Sequence, residues 1–91
     1  MNANVARRVV ISGRVQGVFF RDRMRREAVG RGVGGWVRNR PDGTVQAHLE
    51  GAPDMVAELV LWCRSGPRGA DVEDLEVTVV EPEGADRFAV R

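Results

Sequence analysis

The residues with the clearest chemical potential lie in one nine-residue stretch, residues 13–21, with the sequence GRVQGVFFR. Arg21 stands in the first turn of a predicted helix, where the helix dipole disfavours a cation by about 0.3–1 kcal/mol unless an anion lies between them. Gly13 and Gly17 lack a Cβ, so the preceding backbone N–H groups can turn toward a small ligand. The stretch therefore predicts a phosphate-type site at a helix N-terminus. A glycine-containing loop alone is more often an ordinary turn with a surface arginine, here balanced by Asp22.

A second stretch, residues 35–45 with the sequence GWVRNRPDGTV, favours the anion site over the ordinary turn. It predicts a strand, a turn and a strand, because Pro41 presets φ, Asp42 supports the bend and Gly43 supplies a left-handed residue. Together the two stretches strongly resemble the two signature regions of the acylphosphatase family. The resemblance covers most of the chain and includes three further segments, EG at 50–51, GP at 66–67 and FAVR at 88–91.

The resemblance implies an activity, the hydrolysis of an acyl phosphate to carboxylate and inorganic phosphate, with no metal and no cofactor. The family's phosphate-binding arginine matches Arg21, and its water-positioning asparagine matches Asn39. Its anion cradle matches six consecutive residues: Val15, Gln16, Gly17, Val18, Phe19 and Phe20. Thr44, which matches the threonine of the family's DGT, is expected to orient Asn39.

Two positions depart from the family's usual pattern. The residue before Phe20 is often small in the family and is Phe19 here, which is expected to alter the acyl pocket. The residue after Asn39 is frequently threonine or another small polar residue, and it is Arg40 here. We hypothesise that Arg40 favours anionic acyl groups such as succinyl phosphate.

The chemical inventory of the predicted site is restrictive. It offers backbone N–H donors, one guanidinium that can bind phosphate oxygens bidentately and one carboxamide, but no nucleophile and no metal ligand. A cysteine phosphatase would need a thiolate where Val15 stands, and a nucleotide-binding P-loop would end in Lys-Ser or Lys-Thr. A phosphate ester expels an alkoxide and needs an acid, whereas an acyl phosphate expels a weakly basic carboxylate. The inventory therefore selects acyl phosphates.

Hydrophobic periodicity predicts five strands and two helices around these stretches. The strands cover residues 7–13, a segment beginning at Trp36 and Val37, residues 44–50, residues 72–80 and a short segment at 88–90. The first helix buries Phe20, Met24 and Ala28, and the second begins at Pro53 and buries Val56, Leu59, Val60 and Cys63. This βαββαβ order predicts an α+β fold, a ferredoxin-like α/β sandwich with an antiparallel sheet, two helices on one face and a short extra C-terminal strand.

The one histidine and the one cysteine are predicted to have structural rather than catalytic roles. Strand 44–50 alternates, and His48 falls on the side opposite Val45, Ala47 and Leu49, so we expect it to face solvent. Cys63 falls on a helical stripe and is expected in the core rather than as a nucleophile.

Connectivity predicts that the functional residues meet. A crossover helix makes the first two strands parallel, with the third strand between them. The loop then leaves the end of the first strand, Asn39 closes the second, Thr44 opens the third and Arg21 begins the helix. All four features are expected at one end of the sheet.

Bulk composition bounds the class of protein. Ninety-one residues suit one small domain, residues 1–91, and 43% hydrophobic with 30% charged residues is typical of a soluble globular protein. The net charge of +1 gives no basis for nucleic acid or an anionic membrane as partner. One cysteine forms no internal disulfide, and no apolar run suits a signal peptide or a spanning helix. We expect a cytoplasmic monomer acting on a small-molecule acyl phosphate, with a frayed terminus at residues 1–4.

Two alternatives remain open at this point. A non-catalytic anion-binding or nucleic-acid-binding module could share the fold, although RNA-binding sheets display aromatic residues and the three phenylalanines here lie in the loop, the helix start and the terminal strand. The domain could also serve a larger maturation or carbamoyl-transfer enzyme, as related domains do. The length of the chain favours a stand-alone enzyme over that second alternative.

Overall fold

The computed structural model describes residues 3–91. The elements follow in the order β1 (Val5–Arg14), α1 (Phe20–Gly30), β2 (Gly34–Asn39), β3 (Val45–Gly51), α2 (Pro53–Ser65), β4 (Asp71–Val80) and β5 (Phe88–Val90). The predicted order of strands and helices is confirmed. Of the expected frayed terminus, residues 1 and 2 lie outside the described part of the chain.

The five strands form one sheet in the order β4-β1-β3-β2-β5. β3 is antiparallel to both β1 and β2, so β1 and β2 run parallel to each other, as the crossover predicted. β4 pairs antiparallel with the outer edge of β1, whereas β5 pairs parallel with β2. The sheet is therefore mixed rather than wholly antiparallel, because the connection 81–87 reverses the chain after β4 and returns it along β2.

The core lies between one face of the sheet and the two helices. Sheet residues of this face, among them Val9, Ile11, Val37, Val45, Ala47 and Leu49, are fully buried against Phe20, Met24 and Ala28 of α1 and Val56, Leu59 and Cys63 of α2. Full burial of one such aliphatic or aromatic side chain contributes about 1.5–3 kcal/mol. The predicted stripe of α1 is confirmed, and that of α2 is confirmed except at its edge, where Val60 is only half-buried. This packing fixes where α1 begins relative to the strand ends.

Cys63 belongs to this core, as predicted. Its thiol is fully buried, and burial raises its pKa to about 12. The thiolate is therefore absent at neutral pH. Among the described residues, neither helix is long and apolar enough to cross a membrane.

The prediction that His48 faces solvent was wrong. His48 does lie on the face of the sheet opposite the helices, hereafter the open face, but its side chain is fully buried. Its imidazole stacks on Trp36, with ring centroids 6.2 Å apart, and Arg8 Nη2 donates to its Nδ1 at 3.2 Å. Because arginine can only donate, Nδ1 accepts and Nε2 carries the proton that is donated to Glu50 Oε1 at 2.9 Å.

Glu50 helps to bury His48 on the open face by holding a distant segment over it. Its carboxylate accepts the backbone N–H groups of Glu83 and Gly84 at 2.7 and 3.0 Å, which holds the 81–87 connection against β3. Strand alternation identified the face correctly, but the cover comes from a segment more than thirty residues away in sequence. The alternating pattern alone therefore could not predict that His48 is buried.

We expect Glu50→Gln to lower the free energy of unfolding by about 1–3 kcal/mol at pH 7, because one carboxylate oxygen loses its role as acceptor. Burial by itself would raise the pKa of Glu50, but the hydrogen bonds from His48 and from the 83–85 backbone lower it below its ordinary value. A carboxyl group with a depressed pKa in the folded state stabilises above its unfolded value of about 4.3, and this stabilisation is lost as pH falls through the folded value.

Urea unfolding of both proteins at pH 7 and at pH 3 tests this expectation. The difference between wild type and Glu50→Gln should shrink at the lower pH. A difference that stays constant with pH would contradict the carboxylate's role in holding the 81–87 connection.

Candidate active site

The structure brings Arg21 and Asn39 to one cavity. Arg21 is the second residue of α1, and Asn39 is the last residue of β2. Because β1 and β2 are parallel, the loop that leaves β1 and the last residue of β2 lie at the same end of the sheet. The cavity has a volume of about 320 Å³ and is lined by Val15, Gly17, Phe19, Phe20, Arg21, Asp22 and Asn39.

Several residues of the loop between β1 and α1 line this cavity. Gly17 has φ 76°, and Phe19 at the helix N-cap has φ 60° and ψ 27°, a left-handed conformation that is uncommon for a residue with a bulky side chain. Within residues 3–91, the N–H groups of residues 16–19 make no hydrogen bond, and no side chain caps α1. Such a loop at a helix N-terminus is suited to binding phosphate oxygens.

The six residues of the predicted cradle contribute differently. Val15 and Phe20 are fully buried, and Val18 packs on the core, so their side chains belong to the interior and only their backbone can face an anion. The Phe19 side chain is 74% exposed at the mouth of the cavity. The Gln16 side chain points toward the turn between β2 and β3.

Gly13 was predicted to help turn the N–H groups of the loop inward, but the structure gives this glycine a different role. It lies inside β1 at an irregularity in the pairing with β4. A Cβ on Gly13 would lie within 2.8 Å of the Glu73 backbone nitrogen and closer still to the Asp71 carbonyl oxygen. This glycine therefore allows the close approach of two strands rather than the turn of the loop.

Gln16 ties the loop to the β2–β3 turn. Its Nε2 donates to the carbonyl oxygens of Arg40 at 2.8 Å and Thr44 at 2.9 Å, the residues that follow Asn39 and precede β3. The hydrogen bonds join the anion loop to the backbone that carries Asn39. The sequence placed Gln16 in the cradle, and nothing in its pattern indicates this second contact.

Thr44 lies in the same turn, and its hydroxyl is used locally. Its Oγ1 donates to Asp42 Oδ1 at 2.6 Å, and its backbone N–H donates to the same oxygen at 3.0 Å. The carbonyl oxygen of Thr44 also accepts from the N–H of Arg40 at 2.9 Å. Any influence of Thr44 on Asn39 therefore acts through the backbone of the turn.

Arg21 is not balanced by its acidic neighbour. Asp22 lines the cavity, but in the described part of the chain it forms no ion pair with Arg21. Instead, Arg21 Nη1 donates to the backbone oxygen of Arg91 at 2.6 Å. The ordinary-turn interpretation, which relied on Asp22 as the counterion, is therefore not supported.

A second cavity of about 540 Å³ adjoins the first on the open face, and Arg21 and Asn39 line both. Its other lining residues are Arg8, Trp36, Arg38, Gln46 and Arg91, which the sequence did not identify as functional. Trp36 is an aromatic residue on the open face, which the comparison with RNA-binding sheets overlooked. Its side chain is only 9% exposed.

Arg40, hypothesised to favour anionic acyl groups, lines neither cavity and is paired with Asp42 at 3.5 Å.

Within residues 3–91, no group of three or more His, Cys, Asp or Glu side chains is placed to hold a metal ion. The polar groups that line the first cavity are the Arg21 guanidinium, the Asn39 carboxamide, the Asp22 carboxylate and the backbone of the loop before α1. On a ferredoxin-like sandwich, this combination defines a small phosphate-handling hydrolase.

Comparison with known proteins specifies the family. The Acylphosphatase family model matches residues 7–90. The acylphosphatase of a Nocardioides species is 54% identical over 91% of this chain and 84% of its own length, and that of Gloeobacter violaceus is 49% identical over 99% and 97%. The crystal structure of acylphosphatase from Bacillus subtilis superposes with a TM-score of 0.92 at 36% identity, covering 96% of this chain and 98% of that one. The chain belongs to the acylphosphatase family, and it hydrolyses the carboxyl–phosphate bond of acyl phosphates.

Proposed function

We propose that Arg21 and the N–H groups of residues 15–20 bind the phosphoryl group, while Asn39 holds the attacking water in line with the bond to the acyl group. The observation that carries this proposal is that Arg21, Asn39 and residues of the loop line one cavity, while within residues 3–91 the N–H groups of residues 16–19 make no hydrogen bond. A guanidinium and amide donors neutralise the charge on the phosphoryl oxygens, which is the main demand of phosphoryl transfer. No covalent intermediate is required.

The reaction balances without a protein acid or base. The water oxygen forms a bond to phosphorus, and the bond between phosphorus and the acyl oxygen breaks, releasing a carboxylate. The carboxylate is a weak base, so it leaves without protonation. The proton of the attacking water passes to an oxygen of the substrate's own phosphoryl group. Asn39 orients the water by hydrogen bonding, and its carboxamide does not titrate.

Hydrolysis of benzoyl phosphate in the presence of a metal chelator tests the proposed chemistry. We expect turnover without added metal, competitive inhibition by inorganic phosphate and no turnover of a phosphate monoester such as phenyl phosphate. Turnover of the monoester at a comparable rate would contradict the argument that leaving-group basicity sets the substrate class.

We expect Gln16→Leu to lower kcat/KM for benzoyl phosphate about tenfold, because the anion loop loses both hydrogen bonds to the turn that carries Asn39. The free energy of unfolding should fall by about 1–3 kcal/mol for the two lost bonds. Steady-state kinetics and urea unfolding measure the two effects. Loss of stability without any change in kcat/KM would show that Gln16 has no role in positioning.

We also propose that residues 1–91 act as one domain, as a monomer in the cytoplasm, with a small-molecule acyl phosphate as substrate and neither nucleic acid nor membrane as partner. The single five-stranded sheet, with the first cavity at one of its ends, supports the one-domain part of this proposal. Sedimentation equilibrium at micromolar protein tests the monomer, and a mass of twice 10.0 kDa would contradict it.

A further inference from the structure

Three arginines surround one indole ring on the open face, beside the candidate active site. The guanidinium carbons of Arg8, Arg38 and Arg91 lie 5.0, 6.0 and 4.7 Å from the centroid of the Trp36 ring. Each cation–π contact contributes about 0.5–1 kcal/mol at an exposed site, which helps to hold the arginines but leaves their charge in place.

The register between neighbouring strands brings the arginines and Trp36 together. Arg8, His48 and Trp36 lie directly opposite one another across β1, β3 and β2, and Val10, Gln46 and Arg38 form the next row. Arg91 follows β5, where its N–H donates to the carbonyl oxygen of Val37 at 2.8 Å. The sheet thus sets the backbone positions of Arg8 and Arg38, and the hydrogen bond to Val37 sets that of Arg91.

The groove carries an excess of positive charge. Arg8, Arg21, Arg38 and Arg91 line it, and no acidic residue does. Arg8 pairs with Glu83 at 3.2 Å, but among the described residues no acidic side chain pairs with Arg21, Arg38 or Arg91. The side-chain contact of Arg38 is a neutral one, from Nε to Gln46 Oε1 at 2.8 Å. Gathering four cations in one groove, of which only Arg8 is paired with a carboxylate side chain, is unfavourable unless an anion binds between them.

We propose that this groove is a subsite for a second anionic group on the acyl part of the substrate, a carboxylate or a phosphate ester. The inference rests on the proposed function, because it needs the phosphoryl group to lie on Arg21. Arg21 and Asn39 line both cavities, so a substrate whose phosphoryl group occupies the first extends its acyl chain into the groove. A volume of about 540 Å³ accommodates a short acyl chain with a charged end. The preferred substrates are therefore acyl phosphates with two anionic ends.

A matched pair of substrates isolates the second charge. Crotonoyl phosphate and fumaroyl monophosphate differ in a terminal methyl or carboxylate group, and the trans double bond keeps that carboxylate from attacking the anhydride. A third substrate, 3-phosphooxypropanoyl phosphate, carries a phosphate ester instead. We expect kcat/KM of the wild type to be about tenfold higher for fumaroyl monophosphate or for the phosphate ester than for crotonoyl phosphate, a difference of about 1.4 kcal/mol. The larger of the two preferences identifies the second anionic group.

Arg38→Gln removes one of the unpaired charges at an exposed position. The preference for the anionic substrate should fall about three- to tenfold, while kcat/KM for crotonoyl phosphate stays within about twofold. Arg91→Gln should have the same effect. This substitution leaves the contact of Arg21 in place, because that contact is made to the backbone oxygen of Arg91. Arg64→Gln, which removes an equal charge from the last turn of α2 on the other side of the sheet, should leave the preference unchanged.

The outcomes separate the inference from the proposed function. If all three substrates are hydrolysed equally well and Arg38→Gln changes nothing, the subsite is wrong while the proposed function stands. If none of them is hydrolysed, the proposed function fails and the subsite with it. If the preference exists but Arg64→Gln reduces it as much as Arg38→Gln, it arises from overall charge, and the subsite is again overturned.

Discussion

Arg21→Gln is expected to lower kcat/KM for benzoyl phosphate about 10³-fold and to weaken inhibition by inorganic phosphate in the same variant. Removing one preorganised donor from a developing anion costs about 10²–10³ in rate, and a guanidinium with two donors to phosphate lies at the upper end. Binding and turnover are expected to fall together because Arg21 is proposed to contact the phosphoryl oxygens in both the ground state and the transition state. Steady-state kinetics with phosphate as inhibitor measure both effects.

The stability of the same variant separates function from structure. Removing a cation from the first turn of α1 relieves about 0.3–1 kcal/mol of repulsion with the helix dipole, which offsets the loss of the bond to Arg91. We therefore expect the free energy of unfolding to change by less than about 1 kcal/mol. Arg23→Gln, an exposed position in the same helix, is the matched control and should leave turnover near that of the wild type. Near-normal turnover in Arg21→Gln would remove Arg21 from the site.

Asn39→Ala is expected to lower kcat about 10²–10³-fold while the inhibition constant for phosphate stays within about threefold. The carboxamide is proposed to hold the attacking water and not the phosphoryl group, so its loss removes an interaction that matters mainly in the transition state. Measurement of kcat with benzoyl phosphate, together with phosphate inhibition, gives the two numbers.

Thr44→Val provides the comparison for Asn39. The Thr44 hydroxyl is bonded to Asp42, so its removal should loosen the turn and lower kcat far less than Asn39→Ala does. A larger loss from Thr44→Val than from Asn39→Ala would transfer the positioning role from the carboxamide to the hydroxyl. An equal weakening of phosphate inhibition and kcat in Asn39→Ala would instead place Asn39 on the phosphoryl group.

The sequence predicted the fold and the meeting of Arg21 with Asn39 because both depend on local patterns and connectivity. The stripe of Phe20, Met24 and Ala28 predicts which side of α1 is buried, and a crossover helix makes β1 and β2 parallel whatever the details of packing. Arg21 and Asn39 are fixed to the ends of those elements. Their meeting therefore follows from chain order together with the packing of the α1 stripe on the sheet.

Other contacts could not be predicted, because they join residues that no periodic pattern relates. His48 alternates like a solvent-facing residue, yet it is covered by Arg8, Trp36 and the distant 81–87 connection held by Glu50. β5 could be predicted as a strand, but its direction depends on how that connection returns. A pattern of period two identifies the two faces of a strand, and it carries no information about what lies over each face.

Sequence alone determined the order of elements and the position of Arg21, Asn39 and the loop before α1 at one end of the sheet, since these follow from residue type, spacing and chain direction. Only the tertiary structure decided that Gln16 binds the β2–β3 turn and that the Trp36 arginine cluster adjoins the site. The physical reason is that strand register aligns Arg8 with Trp36 across β3, and register is set by the packing of the whole sheet. The cavity lined by Arg21 and Asn39 thus follows from local sequence, whereas the groove beside Trp36 exists only once the sheet has formed.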